Sequence, residues 1–366
     1  MTPRSTRCSP IAVASRHPQT GHARCRSYSK QVGGSGRGRV ALRCRDDELD
    51  YAALHHRSDR LAHLLVRHGV GPPGSLVGMS MRRGIDLVVA LVGIMKAGAG
   101  FFPLDPTYPA ARKQLMLDDV EPAVVVVTAE AGASMPPTDG VAVISMDDPL
   151  IRAELDAADP VAPLPLPRPD DPMYLMFTSG STGKPKGVVG THRAMSTRLM
   201  WQLKHYPVAG GQDIRLAQAP MTFLEGCIET LAGLAAGATL IVADDAEHRD
   251  AEAIARLIER HSVAQVTGVA SLVSALVDSA PDAVRALRRL VTCGEPVNVS
   301  LLQRLVACVG DRPVELLNAI GATETSGALI RGPLDLPTPQ DRHADGGISG
   351  LPARRGAAAG AGRCRR

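Results

Sequence analysis

Short apolar runs alternate with stretches of helical spacing through the middle of this 366-residue chain. Residues 51–68 place leucines at helical intervals, whereas residues 123–127 are apolar at every position. Thr191, Asp250 and Ser300 are polar residues placed to cap helices. The alternation predicts an α/β fold with mostly parallel sheets flanked by helices. The predicted strands cover residues 75–79, 101–104, 123–127, 173–177, 239–243, 264–269, 290–293 and 314–317, and further helices cover 86–97 and 110–117 and begin at Asp250 and Ser300.

Composition divides the chain into a body and two ends. Six prolines between positions 160 and 172 predict a linker that joins α/β units at 46–159 and 173–330. Residues 1–45 and 331–366 mix Arg, Gly, Ala and Ser with few large apolar side chains, so both are predicted to be disordered tails. Because the N-terminal end contains no acidic residue, it is also compatible with a transit peptide. A further alternative is that both ends are translated from a wrong start or reading frame.

Charge is distributed unevenly, so the net value of +4 describes the ends and not the body. Residues 46–330 hold 24 basic and 34 acidic side chains, which argues against a nucleic-acid-binding face. No apolar run reaches the length of about eighteen residues that a membrane span needs. The seven cysteines are odd in number and scattered, which favours a reducing compartment and predicts a cytoplasmic protein.

A loop rich in glycine, hydroxyl and lysine side chains follows the apolar run at 173–177. Such amides, hydroxyls and ammonium groups suit a polyphosphate, and ligands of α/β folds usually bind at the carboxyl ends of strands. The loop is not a Walker A element, because Thr178 and Pro185 stand where that pattern needs Gly and Ser or Thr. Its candidate nucleotide-binding residues are Thr178, Ser179, Gly180, Ser181, Thr182, Gly183, Lys184 and Lys186.

Four motifs in order resemble those of the adenylate-forming, or AMP-binding, superfamily. They lie at residues 49–54, 95–106, 178–187 and 318–325. The segments at 51–54, 95–106 and 192–201 look most like an adenylation domain of a nonribosomal peptide synthetase. The resemblance implies a partial large N-terminal core of that fold. It also implies ATP-dependent activation of a carboxylic or amino acid as an acyl-adenylate, with Mg²⁺, followed by transfer to coenzyme A or to a phosphopantetheinyl carrier protein.

The resemblance also implies roles for individual residues. Asn318 and Gly321 would close over the nucleotide, Thr323 would contact the α-phosphate, and Glu324 would bind Mg²⁺. Lys184 and Lys186 would lie near the β- and γ-phosphates. His192 matches a position near the reacting carboxylate, although a histidine that begins a helix and forms an ordinary hydrogen bond is an equal alternative. The predicted catalytic set is Lys186, His192, Thr323 and Glu324.

The acid pocket implied by the resemblance departs from the family pattern. Leu224 stands where relatives place an Asp that pairs with the substrate's α-ammonium group, so an acid without a free α-amino group is expected unless Glu225 replaces that anion. Ile320 replaces the tyrosine that stacks on adenine. The predicted pocket residues are Phe223, Leu224, Glu225, Ile228, Gly268, Val291, Cys293, Ala319, Gly327 and Ala328.

Nothing after about residue 330 matches the family's ribose-binding Asp, its hinge or the small C-terminal lid domain with its catalytic lysine. The resemblance therefore predicts a truncated core in which adenylation is weak. Two alternatives remain open at this point. One is a ligase core completed in trans by another polypeptide, and the other is a non-catalytic nucleotide-binding module.

Overall fold

The computed structural model describes residues 38–138, 140–156, 163–178, 185–206 and 213–334. Two sheets with flanking helices occupy these ranges. The strands are β1 Val40–Cys44, β2 Asp47–Asp50, β3 Leu76–Ser80, β4 Gly100–Pro103, β5 Val124–Val127, β6 Ala142–Ser145, β7 Pro172–Thr178, β8 Lys186–Thr191, β9 Ile214–Ala217, β10 Thr239–Val242, β11 Gln265–Gly268, β12 Arg289–Cys293, β13 Glu315–Ala322 and β14 Gly327–Pro333. The helices are α1 Tyr51–Arg67, α2 Ile85–Lys96, α3 Ala110–Val120, α4 Ala129–Gly132, α5 Pro149–Asp156, α6 His192–His205, α7 Leu224–Ala235, α8 Ala251–His261, α9 Ala270–Ser279, α10 Pro281–Ala286 and α11 Val299–Val309, and a 3-10 turn covers Thr323–Thr325.

Most strand pairs are parallel, as the alternating pattern predicts. One sheet has the order β14-β13-β12-β11-β9-β10-β1-β2, and the other has the order β6-β5-β3-β4-β7-β8. Antiparallel pairing among the described strands occurs in three pairs that are consecutive in sequence, β1 with β2, β7 with β8 and β13 with β14. Consecutive strands can pair this way because a short connection suffices, whereas parallel neighbours need a crossover. The predicted α/β fold class is confirmed.

The largest core lies between the two sheets. It contains Leu42 of β1 and Leu240 of β10 from one sheet, Val77 of β3 from the other, and Leu61 and Leu91 from helices α1 and α2. Each of these side chains is fully buried. Because one continuous apolar cluster includes both sheets, it fixes the strand ends that carry the site relative to one another.

The folded region begins earlier than residue 46, so the expected boundary of the N-terminal tail is wrong. Strand β1 pairs with β10, and its Ala41 and Leu42 side chains are fully buried. Arg43 lies between buried positions and forms an ion pair with Glu48 on β2 at 2.7 Å. Because β1 carries a basic side chain on its more exposed face, its composition is similar to that of the arginine-rich tail. Residues 1–37 and 335–366, where most of the two predicted tails fall, lie outside the described residues.

The predicted division at the proline-rich segment does not match the sheets. Strands β7 and β8 join β4 in the six-stranded sheet, whereas β1 and β2 join β10 in the other. The described part of the proline-rich segment also packs on the body of the protein. Leu164 contacts the large core, and the Pro165 carbonyl oxygen lies 3.5 Å from the position that a Cβ atom on Gly98 would occupy. Residues 157–162 of the proposed linker lie outside the description.

Two of the three predicted helix caps are present. The Thr191 hydroxyl accepts a hydrogen bond from the Ala194 amide, and the Asp250 carboxylate accepts from the amides of the next turn. The Ser300 cap is wrong, since Asn298 accepts from the Leu301 amide at 2.8 Å and begins α11 two residues earlier. No helix in the described ranges is long and apolar enough to cross a bilayer.

Candidate nucleotide and acid site

The phosphate-loop motif connects two antiparallel strands of the six-stranded sheet. Thr178 at the end of β7 pairs with Lys186 at the start of β8, and the Thr178 hydroxyl lies 3.4 Å from the Lys186 carbonyl oxygen. Lys186 is exposed, whereas Met173 and Met176 bury β7 in the core. The loop therefore leaves the carboxyl end of a strand, as expected. Its remaining predicted residues lie outside the described part of the chain: Ser179, Gly180, Ser181, Thr182, Gly183 and Lys184.

Tyr174 joins the strand before this loop to the turn that carries Thr323 and Glu324. Its hydroxyl donates to the Thr323 carbonyl oxygen at 3.0 Å and lies 3.1 Å from the Ser326 hydroxyl. The Tyr174 ring is fully buried, and burial raises the pKa of its hydroxyl to about 12. A buried hydroxyl with two partners fixes both segments. Sequence reasoning missed this link because Tyr174 sits in an otherwise apolar strand.

Gly190 on β8 provides the space for the Tyr174 ring. A Cβ atom on Gly190 would lie 2.0 Å from two carbon atoms of that ring. The two residues are paired across the β7–β8 hairpin. A glycine is therefore required at this position by the close approach of the ring.

The turn at Thr323–Thr325 lies beside β8, so two of the predicted motifs meet. Thr325 holds the turn, because its hydroxyl accepts from the Ala322 amide at 3.1 Å and lies 2.8 Å from the Gly327 carbonyl oxygen. Glu324 is exposed on this turn and Thr323 is half-buried. A carboxylate and a hydroxyl are thus presented next to the hairpin that carries Lys186.

Asn318 is oriented by a neighbour on the adjacent strand. The Thr292 hydroxyl donates to the Asn318 side-chain oxygen at 3.0 Å, and Thr292 is fully buried. With its oxygen engaged, the Asn318 amide nitrogen is left to donate elsewhere. Gly321 is exposed near the end of β13. Thr292 lies on the neighbouring strand β12, outside the motif, so no sequence pattern indicates its role.

Strand register brings three of the predicted pocket residues of the large sheet together, Val291, Cys293 and Ala319. Gly268 pairs with Thr292, and Cys293 pairs with Ala319, at the carboxyl ends of the parallel strands β11, β12 and β13. Val291 and Ala319 are buried in one small cluster, with Cys293 packed against it. Val291, Cys293 and Ala319 therefore share one face of the sheet and form a wall that is apolar apart from a thiol. Gly268 is placed on the opposite face, where a Cβ atom would lie 3.4 Å from Val273.

Helix α7 carries two further predicted pocket residues, and their side chains belong to the large core between the sheets. Leu224 and Ile228 lie one turn apart and are buried, while Gly327 approaches so closely that a Cβ there would lie 2.5 Å from the Ile228 side chain. Phe223 instead caps the helix start and is 66% exposed, so its side chain does not complete the pocket in this conformation. The Ala328 side chain lies outside the description.

His192 begins α6 directly after β8 and is buried. Its backbone amide donates to the Asp171 carbonyl oxygen at 3.1 Å. Burial lowers the pKa of the imidazole to about 4, and the charge of Asp171 opposes this shift only in part. His192 is therefore neutral near pH 7, so it can act as a hydrogen-bonding group but not as a cation.

Glu229 is a buried carboxyl group that the sequence reasoning overlooked. It accepts hydrogen bonds from the amides of Gln218 and Ala219 at 3.1 and 2.9 Å, at the end of β9. Burial, with a smaller contribution from Glu225, raises its pKa to about 8. Glu229 thus holds the chain that leads from β9 into α7 and the acid pocket.

The acidic side chain near the phosphate loop fits a magnesium ion that enters the site together with a nucleotide. The described residues contain no group of three or more His, Cys, Asp or Glu side chains that could hold a metal. Mg²⁺ usually takes one or two carboxylates together with substrate phosphates and water. The single exposed carboxylate of Glu324 suits that mode and does not suit a resident metal site.

The chain belongs to the AMP-binding enzyme family, whose model matches residues 29–358. This is a family of adenylate-forming ligases. The chain is 36% identical over 290 residues to the phosphinothricin tripeptide synthetase PhsB of Streptomyces viridochromogenes, covering 78% of this chain and 24% of the relative. It is 33% identical over 288 residues to a dimodular nonribosomal peptide synthase of Bacillus subtilis, covering 79% and 12%. The chain therefore spans no more than a quarter of the length of these relatives.

Solved structures of similar fold include a nonribosomal peptide synthetase and an N-terminal subdomain. The AMPPNP-bound form of the nonribosomal peptide synthetase FmoA3 matches with a TM-score of 0.75 and 25% identity, covering 86% of this chain and 33% of that one. The N-terminal subdomain of Klebsiella oxytoca NpsA, in complex with 3-hydroxybenzoyl-AMSN, matches with a TM-score of 0.74 and 23% identity, covering 86% and 78%. The predicted resemblance, including the partial core, is confirmed by these comparisons.

Proposed function

We propose that this chain binds ATP with Mg²⁺ and activates a carboxylic or amino acid as an acyl-adenylate. The observation that carries the proposal is the Tyr174 link, which joins the phosphate-loop hairpin to the turn bearing Thr323 and Glu324. A hairpin that presents Lys186 beside a carboxylate and a hydroxyl supplies the groups that bind a magnesium nucleotide. The AMPPNP-bound form of FmoA3 supports nucleotide binding by this fold.

The nucleotide would lie across the carboxyl ends of the strands. Asn318, fixed by Thr292, is available to donate to the base, and Thr323 to the α-phosphate. Ile320 is 51% exposed and offers adenine an apolar contact in place of stacking. Lys186 would stabilise the β- and γ-phosphates, and Glu324 would hold the Mg²⁺, which neutralises phosphate charge when bound.

The protein would contribute to this reaction chiefly by aligning the reactants and by stabilising the charge that develops on the phosphates. The acid's carboxylate oxygen attacks the α-phosphorus, the bond from that phosphorus to the bridging oxygen breaks, and pyrophosphate leaves with the electron pair. Lys186 stabilises the departing charge, while the neutral His192 imidazole would orient the attacking carboxylate. The product acyl group would then pass to a thiol of coenzyme A or of a phosphopantetheinyl carrier protein.

The walls of the pocket favour an acid without a free α-amino group. Leu224 is buried and cannot neutralise an ammonium group, and Val291 and Ala319 add apolar surface. An unpaired buried charge costs several kcal/mol. FmoA3 has been solved with α-methyl-L-serine-AMP and NpsA with an aryl compound, so the fold accommodates both classes of acid.

Pyrophosphate exchange tests the proposal. The full chain is assayed with a panel of carboxylic and amino acids, alone and with the C-terminal subdomain of a relative supplied in trans. We expect exchange that depends on an added acid, that increases when the subdomain is supplied, and that falls at least tenfold in Glu324→Gln. ATP binding without acid-dependent exchange under either condition would contradict it and would indicate a non-catalytic nucleotide-binding module.

A further inference from the structure

Arg83 bonds the two sheets together at the ends of their strands. It lies in the loop between β3 and α2, and its guanidinium donates to three carbonyl oxygens of the other sheet. Nε donates to Ala243 at 2.7 Å, Nη1 to Ala219 at 3.0 Å and Nη2 to Ala217 at 2.8 Å. Ala217 ends β9 and Ala243 follows β10, so these bonds lie at the carboxyl ends of parallel strands, where ligands of α/β folds usually bind.

Glu229 holds the same segment from α7. Its Oε2 atom accepts hydrogen bonds from the amides of Gln218 and Ala219 at 3.1 and 2.9 Å. The Gln218 side-chain amide in turn donates to the Thr267 carbonyl oxygen on β11 at 2.6 Å. Ala219 is therefore bonded through both its amide and its carbonyl oxygen. Residues 217–219 are fixed relative to three elements, which are α7, β11 and the loop after β3.

The held segment leads directly into the predicted acid pocket. Residues 223–225, three consecutive members of that pocket, follow it at the start of α7. The first turn of the helix packs on the held peptide groups, because a Cβ atom on Gly226 would lie 2.5 Å from the Pro220 carbonyl oxygen and 2.6 Å from that of Ala219. With so little space between them, a displacement of Ala219 must also displace the start of α7.

The groups assigned to the nucleotide are held by other contacts. Lys186 begins β8 in the hairpin with β7, and the Tyr174 hydroxyl bonds the turn that carries Thr323 and Glu324. Removal of the Arg83 bonds releases residues 217–219 and leaves the Tyr174 bonds in place. The expected consequence is a displaced acid and an undisturbed nucleotide.

We propose that Arg83 is a positioning residue of the acid site, which acts through Ala219 on the start of α7. This inference rests on the proposed function and adds to it a residue that places the acid without touching it. A guanidinium presents its N–H groups in a fixed planar fork, whereas the ammonium group of lysine is a compact point charge. Lysine at this position would therefore replace the three bonds only in part, and methionine would replace none of them.

The KM values for the acid and for ATP in pyrophosphate exchange test the inference. The full chain is assayed with the panel acid that gives the most exchange, with the C-terminal subdomain of a relative supplied in trans. We expect Arg83→Met to raise the KM of the acid at least about tenfold and to leave that of ATP within about twofold, with Arg83→Lys in between. Arg288→Met is the control, because Arg288 donates to the Asp213 carboxylate at 2.8 Å, at the amino end of β9. It should leave both KM values unchanged.

The outcomes separate the two proposals. An acid KM that is the same in Arg83→Met and Arg288→Met overturns the inference and leaves the proposed function standing. Equal rises in the KM of the acid and of ATP would show a general structural role and would also overturn it. Absence of acid-dependent exchange in the wild type overturns the proposed function, and the inference fails with it. Thermal unfolding of each variant shows whether it is folded, and if Arg83→Met does not fold, the same comparison with Arg83→Lys decides the question.

Discussion

Removal of the Tyr174 hydroxyl should loosen the turn that carries Thr323 and Glu324. In Tyr174→Phe the ring keeps its buried place, while the Thr323 carbonyl and the Ser326 hydroxyl each lose a partner. Because burial holds the pKa of Tyr174 at about 12, the wild-type hydroxyl stays protonated and able to donate throughout the neutral range.

The expected loss follows from the two hydrogen bonds. A typical intramolecular bond contributes about 0.5 to 1.5 kcal/mol net, so the free energy of unfolding should fall by about 1 to 3 kcal/mol. Both bonds join β7 to the turn, and nucleotide binding needs both segments in place. ATP affinity should therefore fall by about 5- to 150-fold.

Urea denaturation and calorimetric titration with ATP and Mg²⁺ measure these two effects. Tyr51→Phe is a matched control, because the Tyr51 hydroxyl is also buried and donates to the Ala238 carbonyl oxygen at 2.6 Å, away from the turn. The control should lose stability and keep its ATP affinity. Equal ATP affinity in Tyr174→Phe and the wild type would show that nucleotide binding does not depend on the Tyr174 hydrogen bonds.

Three further changes test individual parts of the structure. Gly190→Ala should cost at least about 1 to 3 kcal/mol in urea denaturation, since its methyl group would overlap the Tyr174 ring; an unchanged midpoint would contradict that packing. For Glu229, a pKa raised to about 8 means that wild-type stability falls as pH rises from about 4.5 to 8, by at most about 1.4 kcal/mol per unit. Glu229→Gln should flatten that slope in unfolding measured against pH, and parallel curves would exclude the assignment. Asn298→Ala should cost about 1 kcal/mol in thermal unfolding and Ser300→Ala almost nothing, and the reverse order would restore the cap expected from sequence.

Local patterns were enough to predict most of the body of the fold. The run at 123–127 forms the buried strand β5, and residues 51–67 form α1, because apolar spacing there decides which face is buried. Strand β1 could not be predicted in the same way. Its five residues contain Arg43 and adjoin other arginines, so composition hides the burial of Ala41 and Leu42.

The parts of the candidate site that lie within the four motifs could be predicted from the sequence. The adjacency of β8 to the Thr323–Thr325 turn agrees with the roles that the resemblance assigns to both segments. Tyr174 could not be found from sequence as a site residue, because its hydroxyl bonds to Thr323, 149 positions away. Such contacts depend on the order of strands in two sheets, which periodicity alone does not determine.

Titration of the full chain with ATP and Mg²⁺ measures whether the hairpin that carries Lys186 binds the nucleotide. Lys186→Ala removes one charge-assisted contact, so we expect the binding of ATP to weaken by about 1.5 to 3 kcal/mol, or about 10- to 150-fold. Lys204→Ala removes an equally exposed lysine from the end of α6 and should change nothing. No detectable ATP binding by the wild-type chain, or equal affinity in Lys186→Ala and Lys204→Ala, would contradict the assignment of this site.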